Sequence, residues 1–78
     1  MRFSDLSQDE RAMLRLLSKQ DHWSLTDPLF RGRGGATLTR LRLRGLLRHR
    51  VVQSDSRYSS VGLKDVAFRL VHDAEVGA

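Results

Sequence analysis

Between Arg31 and Arg50 the chain reads RGRGGATLTRLRLRGLLRHR, with seven arginines, five leucines and no acid. This mixture constrains the fold more than any other stretch. The leucines must leave water and the arginines must stay in it, so the segment has to present two faces. Its formal charge is +7, whereas the whole 78-residue chain is +5. Residues 1–30 hold four basic and five acidic side chains, and residues 51–78 hold three and four, so the flanks together are −2. Clustered positive charge points to a polyanionic partner. A solubilising surface without a partner is the plainer alternative. Arginine outnumbers lysine twelve to two, and arginine suits bidentate contacts to phosphate and guanine.

Two faces can be made by a helix or by a strand. At about 100° per residue, Gly34, Leu38, Leu41 and Gly45 share one side of a helix. Arg33, Ala36, Thr39, Arg40 and Leu43 share the other, flanked by Thr37 and Arg44. TRLRLR alternates as a strand would. However, it has no β-branched residue except threonine, and Leu and Arg are good helix formers. The pattern predicts a helix over 33–44, with Gly45 just past its end. Gly34 and Gly35 either weaken this helix by roughly 1 kcal/mol each or let backbone approach a phosphate closely.

Upstream, residues 1–20 are expected to form a helix. Ser7 and Glu10 have the spacing of a capping box. Met13, Leu16, Leu17 and Ala12 form its apolar stripe, entered by Phe3 and Leu6. Leu14 lies off that stripe and either widens the buried face or meets a second copy. QDHWSL, residues 20–25, is a connector with a very short strand at His22–Leu25 as an option, and Trp23 is a lid on the core. Thr26 or Asp27 caps a short second helix over 26–31, with Pro28 in its first turn. Helix, short helix, glycine-containing turn and third helix make a helix-turn-helix layout.

Downstream, LLRHRVVQS (46–54) reads as a strand. Residues 55–60 read as a polar loop, and VAFRLV (66–71) as a second strand forming an antiparallel hairpin with the first. One domain is expected over 1–78, ordered over 5–72, with a loose polar tail at 73–78. The chain has no cysteine, which excludes disulfides and thiolate metal sites. The histidines His22, His49 and His72 have no ligand spacing. No nucleophile–base pattern and no phosphate loop are present. The expectation is a non-enzymatic cytoplasmic protein with no metal, cofactor or small-molecule ligand. No apolar run approaches the roughly 18 residues that span a bilayer.

The run Leu38-x-x-Leu41-x-x-x-Gly45-Leu46-Leu47 resembles the passage from recognition helix to wing in the winged helix-turn-helix family, and VAFRLV resembles the returning wing strand. The resemblance covers residues 5–72. It implies an α+β fold of three helices followed by a two-stranded β-hairpin wing, and binding of double-stranded DNA in transcription regulation, with a homodimer left open. The third helix would enter the major groove. Arg33, Thr37, Thr39 and Arg40 would meet base edges. Arg31 and Arg44 would meet phosphates, with Arg48 a weaker candidate. Ser56, Arg57 and Tyr58 would form the wing tip. Leu43 departs from the family, which places a polar residue there. It either packs on a thymine methyl or sits in a dimer interface. Gly34-Gly35 is a second departure. A protein-interaction module docking the basic helix on an acidic surface is the alternative function.

Overall fold

A computed structural model describes residues 1–51 and 59–77. A single 3-10 turn at Phe3–Asp5 leads into α1, Gln8–Leu17. Two residues, Trp23–Ser24, form β1, and a second 3-10 turn spans Pro28–Phe30. Then come α2 at Arg33–Leu43, β2 at Leu47–Val51, β3 at Ser59–Leu63 and α3 at Asp65–Val76.

The capping box of α1 forms as the spacing requires. The Glu10 N–H donates to Ser7 Oγ, and the Ser7 N–H donates to the Glu10 carboxylate, each at 3.2 Å. Met13, Leu14 and Leu17 are buried, so Leu14 widens the core face. The first turn of this segment is separate from α1, because Ser7 stops helical backbone with its extended φ and ψ. Trp23 closes the other end: its indole N–H donates to the Leu17 carbonyl at 3.1 Å, while its ring packs against the core.

The end of α2 is a complete glycine cap. Gly45 takes φ +74°. Its N–H donates to the Arg42 carbonyl at 2.9 Å, and the Leu46 N–H donates to the Leu41 carbonyl at 3.2 Å. These are the two bonds of a Schellman motif, and Leu41 and Leu46, both buried, supply its apolar contact. Gly45→Ala is expected to destabilise the domain by about 1–2 kcal/mol, the left-handed penalty for a residue with a Cβ. Urea midpoints of the two proteins check this, and equal midpoints would refute it.

The sheet has three antiparallel strands in the order β1-β3-β2. Trp23 pairs with Val61 on one side of β3, and Leu47 to Val51 pair with Leu63 to Ser59 on the other. The expected two-stranded hairpin is therefore corrected to a three-stranded sheet. The returning strand is also displaced. It is Ser59–Leu63, within and beyond the stretch expected to be a polar loop. Serine and glycine are poor strand formers, but this strand is central, and hydrogen-bonded neighbours on both sides override propensity.

VAFRLV is not a strand but the first half of α3. Ala67 and Val71 are buried, and Leu70 and Ala74 partly so. This is the i, i+3, i+4, i+7 pattern of a helix, visible only when the window extends past the six residues that also alternate. Val66, just outside the buried stripe, is half exposed. The tail expected from 73 onward belongs to this helix up to Val76. Leu6, Leu38, Leu41, Leu46, Leu47, Val61, Leu63, Ala67 and Val71 complete one core with the α1 residues. No helix of the described residues is long and apolar enough to cross a membrane.

Candidate nucleic-acid interface

Helix α2 is held from beneath. Leu38 and Leu41 are buried, as is Thr37, whose hydroxyl donates to the Arg33 carbonyl at 2.9 Å. Its N-terminus packs directly on the Pro28–Phe30 turn, itself capped by Asp27, which accepts from the Leu29 N–H at 2.9 Å. A Cβ on Gly34 would lie 1.8 Å from the Leu29 carbonyl oxygen, and one on Gly35 2.7 Å from that of Phe30. The two glycines thus serve the contact between turn and helix.

The outward side of α2 has a centreline and two edges. Ala36, Thr39 and Leu43 form the centreline, all exposed, with Leu43 at 82%. Arg33 and Arg40 flank one edge and Arg42 the other, with Arg31 just ahead of the helix, and all four are exposed. Arg33 lies 3.5 Å from Asp9 of α1, with its own side chain 92% exposed, a contact worth little in water. Arg40 donates to Thr37 Oγ1 at 3.3 Å. Among the described residues, no carboxylate lies within ion-pair distance of Arg31, Arg40, Arg42 or Arg50.

Two arginines of the stretch are committed elsewhere. Arg44 turns from the outward face to Glu10, donating through Nε at 2.5 Å and through a terminal nitrogen at 3.3 Å. Glu10 is 2% exposed. Burial alone would push its carboxyl up, but the Arg44 bonds and charge, with the two Ser7 bonds, outweigh that and hold it below the usual carboxylate range. Arg48 pairs with Asp21 on the exposed connector after α1.

The sequence-based site therefore divides. Arg33, Thr39 and Arg40 share the solvent face of α2, with Arg31 exposed just ahead of it. Thr37, expected at base edges, is corrected to a core position, since it faces Arg33 and the interior. Arg44, expected at phosphate, is paired with the buried Glu10. Ser56, Arg57 and Tyr58 lie outside the described residues. Arg42, to which no role was assigned, stands at the second edge. The Glu10–Arg44 pair had one available signal. Glu10 lies three residues before Met13 and seven before Leu17, on the core stripe of α1, where a carboxylate needs a cation.

A second cationic feature involves no residue of α2. Arg2, Arg11 and Arg15 rim an open groove of about 690 Å³ over Leu70 and Ala74, with Arg15 stacked 5.0 Å from the Phe3 ring centre. Among the described residues, no three His, Asp or Glu side chains are grouped as metal ligands. Comparison with family models, curated proteins and solved structures finds no match to this chain.

Proposed function

We propose that this protein is a small double-stranded DNA-binding regulator that lays the outward face of α2 in the major groove. The carrying observation is the arginine-edged helix face standing clear of a core that fixes the helix from below. The element order and three-stranded antiparallel sheet are compatible with a winged-helix domain. Arg33 and Arg40 are the base-edge candidates. Arg31 and Arg42 are the phosphate candidates, and Ser56, Arg57 and Tyr58 remain the wing candidates.

Random-sequence duplex titrated at several salt concentrations tests the reading. If Arg31 and Arg42 meet phosphates, log K falls with log salt at a slope of roughly −2. Each Arg→Ala change at a phosphate contact lowers that slope by about 1. Backbone NMR shifts should move at residues 31–43 and in the 52–58 segment. No binding at low salt overturns the proposal and leaves the acidic-protein partner as the better reading. Duplex binding that is unchanged by Arg33→Ala with Arg40→Ala overturns the placement of α2 in the groove.

A further inference from the structure

We infer that the centreline of α2 reads thymine C5-methyl groups, so that the protein favours A·T pairs beneath Ala36, Thr39 and Leu43. This deepens, and rests on, the DNA-binding reading above. Leu43 is the most exposed large apolar residue among those described, at 82%, and it lies on the centreline, with arginines on either side. Positive edges call for an anionic partner, and an apolar centre calls for apolar atoms between the anions. The major groove supplies both: two phosphate strands, with thymine methyls on its floor.

The polar inventory of the face points the same way. The residues of α2 are RGGATLTRLRL, with no Asn, Gln, Asp, Glu or His. Thr39 donates its hydroxyl proton to the Gly35 carbonyl at 3.0 Å, and Thr37 is buried. Arginine is then the one side chain on this face with a hydrogen-bond donor to give to a base. It reads guanine or binds phosphate. The centreline has methyl groups to offer, and alanine, the threonine methyl and other apolar groups are suited to the thymine methyl. Seven residues separate Ala36 from Leu43, about 10 Å along a helix, or roughly three base steps of duplex.

A second copy of this chain is a poorer occupant. Packing two such faces together would bring Arg33, Arg40 and Arg42 of each copy against those of the other, and like charges at an interface are repulsive.

The test uses the full chain and three duplexes of equal length: alternating A·T, the same duplex with uracil replacing every thymine, and alternating G·C. Uracil removes the C5-methyl group and keeps the hydrogen-bonding edge. Loss of one buried methyl corresponds to about fourfold in affinity, so two contacts give on the order of tenfold. The expected result is on the order of tenfold weaker binding to the uracil duplex, reduced to about fourfold in Leu43→Ala. That variant should unfold at the wild-type urea midpoint, since the side chain is exposed. Equal affinity of the wild type for thymine and uracil duplexes overturns this inference while leaving the DNA-binding reading intact. Absence of binding to all three duplexes at low salt overturns both.

Discussion

Gly34→Ala should cost the domain a large part of its stability, although it replaces the poorest ordinary helix former with the best. The propensity gain is about 1 kcal/mol. Against it stands a Cβ placed 1.8 Å from the Leu29 carbonyl oxygen and 3.0 Å from its carbon. The obstacle is backbone in a turn fixed by Pro28 and by the Asp27 cap, so no side-chain rotation can relieve it. The turn and α2 must separate, and both carry core residues: Leu29 and Phe30 on one side, Leu38 and Leu41 on the other. Overpacking costs of 1–3 kcal/mol are typical and larger ones occur. Here a net loss of about 3 kcal/mol or more is expected, against a total of roughly 4–12 kcal/mol for a chain of this length. Urea unfolding followed by circular dichroism measures it. Ala36→Gly, at an exposed position of the same helix, serves as the control and should lose only about 1 kcal/mol. If Gly34→Ala proves as stable as the wild type, the close approach of turn and helix described above is wrong.

What could be read from the sequence here depended on whether the signal was local. The Ser7–Glu10 box, the Asp27 cap and Gly45 lie within a few residues of what they control, and each helix end they mark is where the spacing puts it. Leu38 and Leu41 set the buried side of α2 correctly for the same reason. The segment after residue 58 failed because its structure is decided by partners far along the chain. Ser59, Ser60 and Gly62 have little strand propensity, but Trp23–Ser24 and Leu47–Val51 clamp them from both sides. Gly62 is buried where a Cβ would sit 2.3 Å from the Asp21 carbonyl oxygen. No local pattern could announce that contact. VAFRLV failed differently: six residues satisfy period 2 and period 3.6 alike, and Ala74, which breaks the tie, lies beyond them.

The arginine stretch shows the same division. Its charge is local and legible, but which guanidiniums are free is not, because Arg44 and Arg48 find their carboxylates 34 and 27 residues away. The basic surface offered to a partner is accordingly smaller than the formal +7, and it is ordered by α2. Two arginines orient the helix and its following strand, Arg33, Arg40 and Arg42 face outward from the helix, and Arg31 is exposed just ahead of it.

Removing Arg44 should therefore weaken the fold before it weakens any nucleic-acid contact. Arg44→Met keeps much of the apolar stem and deletes the charge, leaving the buried Glu10 carboxylate with the bond from the Ser7 N–H. Breaking a buried pair on one side costs about 3–5 kcal/mol. Because the Arg44 side chain is 38% exposed, solvent screening should reduce this to roughly 2–3 kcal/mol. Glu10→Gln with Arg44→Met removes both charges, so the double variant should recover part of the loss. The pH dependence carries the sign. In the wild type the folded Glu10 carboxyl titrates below its ordinary value of 4.5. Its contribution is thus fully present above that value and is lost as pH falls through the folded one. In Arg44→Met the guanidinium no longer opposes burial, so the Glu10 carboxyl should titrate higher than in the wild type. The stability gap between the two proteins is then widest near neutrality and narrows on acidification below pH 4.5. Chemical denaturation from neutral pH to pH 3, with a carbon-13 titration of the Glu10 carboxyl, measures both. A gap that stays constant over that range would mean that Arg44 acts through its stem alone and that the ion pair contributes nothing to holding α2 against α1.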